Sequence, residues 1–241
     1  MRVGVVAAMP SELRPVAKRL GLRSGPDRRM VGRYEGVDVV AVRTGMGTAA
    51  AGDGTRRLLD AVAPDHVVVV GVAGGIAPGQ RIADVLAIDV VIDGHTGAEY
   101  RPHLLAAAAI AAEGERAPAA LHTADELIAD PDRIAALRST GVVALDMETA
   151  AVAAVCEERG CPWSVVRAVS DRFDDRLADR AVFDLARSDG SPDPAAVARF
   201  LLRHPGRIPG LVRLGRDFGA ARQAAADALA AALGTLPAHP S

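Results

Sequence analysis

Val143–Asp174, with the sequence VALDMETAAVAAVCEERGCPWSVVRAVSDRFD, is the stretch from which the fold and the site follow most directly. Its apolar and alanine-rich runs predict a strand, a helix and a second strand. Glu148 follows the first strand and opens the helix, and Asp171 lies where the second strand stops. Ligands of α/β sheets bind outside the carboxyl ends of the strands, so both carboxylates are placed for chemistry on a polar small molecule.

The same alternation of strands and helices extends outward from this stretch. The predicted strands are Val3–Ala8, Val37–Val42, Val67–Val72, Val85–Ile92, Val142–Leu145 and Ser164–Val169. The predicted helices are Ser11–Leu20, Thr48–Ala63, His103–Ala112, Pro131–Arg138 and Met147–Arg159. Strands that alternate with helices predict an α/β fold with a largely parallel, doubly wound sheet.

A break at Ser188–Pro194 interrupts this pattern, and a helical region, Ala195–Leu233, follows it. A second break lies within that region at His204-Pro205-Gly206. We interpret residues 1–241 as one domain in which residues 188–241 form a helical C-terminal extension packed on the rest.

Composition excludes several classes of protein. With 241 residues and 50% hydrophobic content, the chain can bury a substantial core. A formal net charge of −2 and a pI of about 6.3 give no net attraction to nucleic acid. Cys156 and Cys161, the two cysteines, fit neither a common metal motif nor a disulfide framework, so reduced thiols are expected.

No targeting or membrane-spanning segment is predicted. The apolar run at the amino terminus is too short for the core of a signal peptide, and Pro10 follows it at once. The longest apolar stretch, Val67–Ala77, contains three glycines and is too short to cross a bilayer. We therefore expect a soluble, cytoplasmic protein.

Two glycine-rich segments follow predicted strands. The first, Gly45–Ala50, fits the loose dinucleotide-binding pattern, but Asp65, the nearest acid, lies at the start of the next strand rather than at its end. A nicotinamide cofactor is therefore disfavoured. The second, Gly71–Gly75, is expected to form a loop with a backbone-lined cradle for a ribose, base or phosphate. Tight helix–strand packing explains either segment equally well, and their pairing favours a site.

Glu12, Glu148 and Asp171 each follow a different predicted strand. Taken singly, each acid is better explained as a residue of a first helical turn, which the helix dipole favours. Asp146 is in addition the predicted N-cap of the helix that begins near Glu148. Three acids at three strand ends are harder to explain by helix starts alone, and they favour a catalytic site.

Five motifs in this order carry a resemblance to a known family. They are Met9-Pro10-Ser11-Glu12, Thr44-Gly45-Met46-Gly47, Gly71-Val72-Ala73-Gly74-Gly75, Asp146-Met147-Glu148-Thr149-Ala150 and Val169-Ser170-Asp171. The chain resembles the nucleoside phosphorylase superfamily, and most closely its methylthioadenosine/S-adenosylhomocysteine nucleosidase branch. The resemblance covers about residues 1–175 and implies a single α/β domain around a twisted, mostly parallel and partly closed sheet. It also implies a homo-oligomer, with a dimer as the expected form.

The resemblance implies roles for matching residues. Met147 packs against the ribose, and Glu148 accepts hydrogen bonds from its hydroxyls. Ser170 and Asp171 form the pair at the purine, where Asp171 acts as general acid at N7. Adenine leaves readily only after N7 is protonated, and the ribosyl group then passes through an oxocarbenium-like state. Glu12 corresponds to the carboxylate that orients and deprotonates the attacking water.

Whether water or phosphate attacks is decided by the segment after the first strand. Phosphorylases of the superfamily carry a Gly-Asp-Pro-x-Arg phosphate loop there, whereas this chain has Ala8-Met9-Pro10-Ser11-Glu12. Glu12 would repel phosphate, so hydrolysis is the favoured reaction. Arg43, followed by Thr44 and Gly45, keeps a phosphate loop and phosphorolysis open as an alternative.

The chain departs from the nucleosidase pattern around the same pocket. In the glycine segment that includes Gly74, Val72 replaces the usual serine. Leu127 stands where an aromatic residue normally stacks on adenine, while Ile128 still offers backbone groups to the base edge. The stretch Asp93–His103 is short and lacks an aromatic-rich segment, which implies an open 5′ side.

The C-terminal extension mixes arginines with large apolar residues over Phe200–Arg216. Such a segment suits either an anionic membrane surface or, as amphipathic helices usually do, a core or subunit interface. Together with the altered pocket it resembles the hopanoid-biosynthesis branch, whose members are thought to remove adenine from adenosylhopane.

The favoured function is therefore adenine release from a 5′-substituted adenosine. The substrate is adenosylhopane, or alternatively methylthioadenosine or S-adenosylhomocysteine. A nucleoside-binding sensor without turnover is disfavoured because all three acids are present. No metal or organic cofactor is expected, because the sequence has no ligand cluster and the reaction requires none.

Overall fold

The structure, a computed structural model, describes residues 1–103, 118–173 and 193–234 of the chain. Within these residues, eleven strands form one mixed sheet. They are β1 (Arg2–Ala7), β2 (Arg23–Ser24), β3 (Met30–Tyr34), β4 (Val37–Arg43), β5 (His66–Gly75), β6 (Val85–Leu86), β7 (Val90–Asp93), β8 (Glu99–Tyr100), β9 (Ala120–Thr123), β10 (Val142–Asp146) and β11 (Trp163–Arg172). The helices are α1 (Pro10–Arg19), α2 (Thr48–Val62), α3 (Pro131–Ser139), α4 (Thr149–Glu158), α5 (Pro194–Arg203) and α6 (Ile208–Gly234), with short 3-10 helices at Pro26–Arg28 and Pro205–Arg207.

The strand order is β2-β3-β4-β1-β5-β10-β9-β7-β8, and β11 lies beside β5. β1 runs parallel to β4 and β5, and β5 runs parallel to β11 along its whole length. These central strands are rich in valine because helices bury both of their faces. The predicted α/β class with a mostly parallel sheet is confirmed, and the last residues of the central strands meet at one edge.

Helices cover both faces of the sheet. On one face, Leu13 and Val16 of α1 pack with Leu229 of α6 against β1, β4 and β11. On the other face, Leu58 of α2 and Val152 of α4 pack against β5 and β11. Because α1 and α6 share one core, their positions over the sheet are set together.

The predicted strand Val85–Ile92 is wrong as a single element. Val85–Leu86 pairs antiparallel with β11, whereas Val90–Asp93 pairs parallel with β9. Between them, Asp89 exchanges hydrogen bonds with Ala119, whose backbone N–H donates to the Asp89 carboxylate. The chain therefore bends there and changes strand partners, which an apolar run alone does not reveal.

The predicted glycine loop Gly71–Gly75 is also wrong, because these residues continue β5 to its end. Their lack of a side chain serves close packing instead of a turn. A Cβ at Gly71 would lie 2.3 Å from both Arg167 and Glu12, and one at Gly75 would lie 2.6 Å from Gln80. The two strands β2 and β3 were not predicted; β3 and β4 form a hairpin through Glu35 and Gly36, both with positive φ.

The C-terminal extension is described from residue 193 to residue 234. Asp193 caps α5 by accepting hydrogen bonds from the backbone N–H groups of Ala195 and Ala196. The break predicted at His204-Pro205-Gly206 coincides with the 3-10 helix before α6. The predicted helix His103–Ala112 lies, apart from its first residue, outside the described residues. Among the helices that are described, none is long and apolar enough to cross a membrane.

A buried polar contact joins the starts of β5 and β11. His66 Nε2 lies 2.8 Å from Ser164 Oγ, which donates a hydrogen bond of 2.6 Å to the carbonyl of His103. His66 is 5% exposed. Burial, with a smaller contribution from His103, lowers the pKa of His66 from 6.5 to about 4. The ring is therefore neutral in the folded protein at neutral pH.

We predict that this histidine makes the protein less stable in mild acid. The unfolded chain binds a proton near pH 6.5 and the folded chain only near pH 4, so stability falls as pH drops through that window. The loss at its lower end is about 3 kcal/mol. Urea unfolding of wild type and His66→Gln between pH 4.5 and 7.5 measures this contribution as the difference between the two proteins, which should shift toward the variant as pH falls.

The exposed His95 provides the matched control, since His95→Gln should retain the wild-type slope. Buried His122, whose pKa is also lowered by burial, and Glu12 and Glu148, whose pKa values are raised and which act in the opposite direction, are present in both variants and in wild type, so their contribution cancels in the comparison. An unchanged slope in His66→Gln would contradict the assignment.

Candidate active site

A cavity of about 260 Å³ lies at the edge of the sheet where β5, β10 and β11 end. The start of α1, the segment after β9 and the first half of α6 complete its walls. Nine of the residues singled out in the sequence line it: Glu12, Val72, Gly74, Leu127, Ile128, Met147, Glu148, Ser170 and Asp171. Residues scattered over 160 positions of sequence thus share one small space, as the three strand-end acids predicted.

Glu12 is both a helix-start residue and a wall of the cavity. It is the third residue of α1, and its Oε2 accepts a hydrogen bond of 2.9 Å from the Met9 N–H. Its Oε1 accepts a second one, of 3.0 Å, from the Val72 N–H of β5. Burial raises the pKa of Glu12, while Arg167 and these two amides oppose the rise. Glu12 is therefore both a first-turn residue of a helix and a residue of the candidate site.

Arg167 of β11 lies beneath this carboxylate and is 1% exposed. Its Nη2 donates to Asp146 Oδ2 at 2.5 Å, and the same nitrogen donates to Thr149 Oγ1 at 2.8 Å. Two further carboxylates lie slightly farther away, Glu148 at 3.8 Å and Glu12 at 4.0 Å. We call Arg167, Glu12, Asp146 and Glu148 the charge cluster.

Asp146 was predicted to be the N-cap of this helix, which is wrong, because Glu148 holds that position. Its Oδ2 still accepts a hydrogen bond of 3.1 Å from the N–H of Thr149, the first residue of α4. The same oxygen also binds Arg167, and Oδ1 accepts a bond of 2.7 Å from Thr123 Oγ1. Asp146 thereby fixes the arginine between β10, α4 and β11.

Glu148 lies at the N-cap of α4 and faces the cavity. Its Oε1 accepts a hydrogen bond of 2.9 Å from the Gly47 N–H, which links it to the segment before α2. Burial and the neighbouring Asp146 raise the pKa of Glu148 to about 7, against the opposing effect of Arg167. The carboxyl group can therefore exchange a proton near neutral pH and accept hydrogen bonds from a ligand.

Asp171 reaches the cavity because β11 contains a bulge. The register with β5 passes from Val169 opposite Ala73 to Asp171 opposite Gly74, so Ser170 is an extra residue. Bulges re-aim side chains and are frequent beside active sites. Ser170 Oγ donates a hydrogen bond of 2.6 Å to Asp171 Oδ1 and so orients the carboxyl group.

The remaining walls are apolar apart from Glu126 in the segment after β9. Met9, Met46 and Met147 contribute from three loops, and Leu127 and Ile128 contribute from the segment after β9. Phe173 follows β11, and α6 adds Leu214 and Phe218. The cavity thus has acids at its sheet side and a thioether, aliphatic and aromatic lining elsewhere, which suits a ligand with one polar and one apolar end.

Some residues fall outside this arrangement or were not anticipated. Arg43 is the last residue of β4, and Thr44 and Gly45 follow it. None of the three lines the cavity, to which that loop contributes Met46. Arg167 and the α6 residues were missed. The available signal was one arginine inside a strand of otherwise small and apolar residues, because a charge buried there requires partners. Among the described residues, no group of three or more His, Cys, Asp or Glu side chains could hold a metal ion.

We predict that Arg167→Met will strongly destabilise the protein, because it leaves three carboxylates buried without their cation. Breaking a buried ion pair typically lowers the free energy of unfolding by about 3 to 5 kcal/mol. The control is Arg159→Met, which removes an exposed pair with Asp60 at 2.9 Å and should change stability by less than about 1 kcal/mol. Urea unfolding of both variants tests this, and similar losses in the two would contradict it.

Comparison with known proteins identifies the family of the chain. The chain matches the Phosphorylase superfamily over residues 2–203. It is 30% identical over 198 residues to the 5′-methylthioadenosine/S-adenosylhomocysteine nucleosidase of Geobacillus thermodenitrificans, covering 71% of this chain and 84% of that protein. With the same enzyme of Tolumonas auensis it is 32% identical over 198 residues, covering 71% and 86%.

Solved structures share the fold at lower identity. The Neisseria meningitidis nucleosidase in complex with methylthio-immucillin-A aligns with a TM-score of 0.73 and 18% identity, over 98% of this chain and 99% of that one. The futalosine hydrolase of Helicobacter pylori aligns with a TM-score of 0.72 and 16% identity, over 98% of both chains. The chain therefore belongs to the phosphorylase superfamily and is similar to its 5′-methylthioadenosine/S-adenosylhomocysteine nucleosidases.

Proposed function

We propose that this protein hydrolyses the N-glycosidic bond of a 5′-substituted adenosine and releases adenine. The observation that carries this proposal is the convergence of Glu12, Glu148 and Asp171 on one cavity whose other walls are mostly apolar. Membership of the superfamily and similarity to adenosine-derivative nucleosidases support the same reaction. In this proposal Asp171 is the acid that protonates the adenine, Glu148 accepts hydrogen bonds from the sugar, and Glu12 is the base that activates water.

The proposed reaction begins at the purine. Asp171, oriented by Ser170, donates a proton to N7 as the C1′–N9 bond breaks, and the bonding electrons pass into the adenine ring. Met147 packs against the ribose, and Glu148 accepts hydrogen bonds from its hydroxyls. These contacts hold the sugar while positive charge develops at C1′.

Water completes the reaction. Ionised Glu12 takes a proton from a water molecule as the water oxygen bonds to C1′, so Asp171 ends ionised and Glu12 ends protonated. Solvent then restores both groups. The two backbone amides that bind Glu12 fix its orientation for this step. Val72 stands where a serine was expected, but it binds Glu12 through its backbone N–H, which does not depend on the side chain.

Hydrolysis is favoured over phosphorolysis by the charge around the attack position. Glu12 lines the cavity, whereas Arg43, the candidate phosphate ligand, is exposed at the end of β4. A phosphate dianion would have to approach a carboxylate, which electrostatics disfavours. A nucleoside-binding sensor remains the alternative without turnover.

We predict that the protein releases adenine from 5′-methylthioadenosine or from an adenosine with a larger apolar 5′ group, and that the sugar product is the free pentose. Incubation with and without phosphate, followed by chromatography of base and sugar, measures this. A sugar 1-phosphate as product would contradict hydrolysis, and the absence of base release from every substrate would contradict the proposal that the protein is an enzyme.

Asp171→Asn should lower kcat by about a hundredfold or more, as expected for loss of a general acid. The exposed Asp38→Asn is the control and should leave kcat unchanged.

The proposed 5′ substituent is large and apolar, with adenosylhopane as the leading candidate. Leu127 replaces an aromatic side chain at the base, and Leu214 and Phe218 of α6 extend the apolar wall. A lipid-like substituent is compatible with such a wall, whereas the homocysteine group of S-adenosylhomocysteine would bring two charges to it. We further propose a cytoplasmic homodimer, the form that the resemblance to nucleosidases implies.

We also propose that the C-terminal extension contacts an anionic membrane surface. Between Pro194 and Gly219 the chain has five arginines and one aspartate, Asp217, although its overall charge is −2. Leu202 is 85% exposed and Val212 is 59% exposed in the same region. Arginines beside exposed apolar side chains are typical of a helix that lies on a lipid surface. A lipid-substituted nucleoside would be met at that surface.

The expected result is co-sedimentation of the full chain with phosphatidylcholine vesicles only when they contain phosphatidylglycerol, and less of it at high salt. Leu202→Asp with Val212→Asp should remove this binding. The matched control is Arg33→Glu with Arg101→Glu, a change of two exposed arginines outside the extension. Equal binding of neutral and anionic vesicles, or of the first variant and wild type, would argue against the membrane contact. A change in oligomeric state of that variant would instead assign the surface to a subunit interface.

A further inference from the structure

Phe173 has an aromatic side chain that lines the cavity and is 45% exposed. It is the first residue after β11, and its backbone N–H donates a hydrogen bond of 3.0 Å to the carbonyl of Gly75, the last residue of β5. The backbone of Phe173 is therefore held by the sheet, although its ring is only partly covered. Aromatic side chains of this kind commonly supply the contact area in small-molecule sites.

Arg138 of α3 covers one face of this ring. Its guanidinium carbon lies 4.9 Å from the centroid of the Phe173 ring, within the range of a cation–π contact. Ile134, one turn earlier on the same helix, is buried with Ile128 and Val142 and also lines the cavity. The packing of α3 thus sets where the guanidinium lies. Because an aromatic ring has two faces, Arg138 leaves the second face of Phe173 to a ligand in the cavity.

The position of Phe173 relative to Asp171 indicates which part of the ligand that is. Asp171 and Arg172 pair with consecutive residues of β5, so the strand is regular after its bulge. Side chains two residues apart in a strand point to the same face and lie about 7 Å apart. Both Asp171 and Phe173 line the cavity, as this alternation requires. A flat ring whose edge meets Asp171 therefore has Phe173 within reach of an offset stack, for which centroids lie about 4.5 to 7 Å apart.

We propose that Phe173 binds the face of the purine whose N7 meets Asp171, and that Arg138 is a positioning residue that holds the Phe173 ring for this contact. The inference rests on the proposed hydrolytic function and assigns it a residue for base affinity. Phe218, the other aromatic side chain among the described lining residues, belongs to α6 on the wall assigned to the 5′ group. Phe173 is therefore the aromatic ring that the strand places beside the proton donor.

Free adenine is the probe for this contact, because its binding does not depend on turnover. Phe173→Leu should weaken adenine binding to the full chain about tenfold in calorimetric titration, as expected for loss of one contact between a base and an aromatic ring. Phe173→Tyr keeps the ring and should retain most of the affinity. Phe200→Leu removes a ring that lies against His204, outside the cavity, and is the matched control with an unchanged Kd. An equal Kd for Phe173→Leu and wild type overturns the inference.

The role of Arg138 is tested by a double-mutant cycle. Arg138→Met should weaken adenine binding about threefold, the effect of losing a partly exposed cation–π contact, and Arg138→Lys should retain most of the affinity. In the Phe173→Leu background Arg138→Met should have no further effect, because no ring is left to hold. A structural role of Arg138 that is independent of Phe173 would lower the affinity in both backgrounds and overturn its assignment as a positioning residue.

Phe173→Trp reports the contact directly. Trp163, the single tryptophan of the chain, is 1% exposed at the start of β11, so its fluorescence should respond little to adenine. Adenine should quench Phe173→Trp far more than wild type, and equal quenching overturns the contact. A higher KM for 5′-methylthioadenosine in Phe173→Leu with an unchanged Kd for adenine would instead place Phe173 at the 5′ group and overturn the inference. A wild-type protein that neither binds nor releases adenine would overturn the proposed function itself.

Discussion

The site depends on one buried cation that is surrounded by three carboxylates. Arg167, at 1% exposure, has Asp146, Glu148 and Glu12 around it. An arginine buried in a sheet is tolerated only with partners, and here each partner comes from a different element. The charge cluster therefore joins α1, β10, α4 and β11 at the edge where a ligand enters. It contains more negative than positive charge, which is consistent with the raised pKa values of Glu12 and Glu148.

The same cluster explains why β5 has glycines near its end. A side chain at Gly71 would occupy the space of both Arg167 and Glu12, so the strand can pass beside the cluster only without a Cβ. Its continuation also donates the Val72 N–H to Glu12 and places Gly74 opposite Asp171. What resembles a phosphate-binding loop in sequence is therefore a strand whose small residues make room for buried charge.

The three acids could be predicted from the sequence, but the residues that hold them in place could not. Glu12, Glu148 and Asp171 follow apolar runs, and the ends of parallel strands meet at one edge of a sheet, so convergence of the acids could be predicted. The prediction holds for Glu148 for another reason, because the last residues of β10 pair antiparallel with the last residues of β5. The role of Arg167 was not predicted, because a single polar residue in a valine-rich strand gives no periodic pattern in the sequence. The bulge at Ser170 depends on pairing with β5, and pairing is a long-range property. The splitting of Val85–Ile92 was unpredictable for the same reason, since its two halves differ only in their partners.

The two halves of the C-terminal helix α6 have different surroundings. Its second half is anchored by Ala221, Ala225 and Leu229 in the core that α1 shares. Its first half packs less, and there Leu214 and Phe218 form the cavity wall while Val212 is exposed. Substitutions in the first half would therefore change the apolar wall of the cavity without moving the acids. Substitutions in the second half would disturb the core and the position of Glu12 together, because both depend on the packing of α6 against α1.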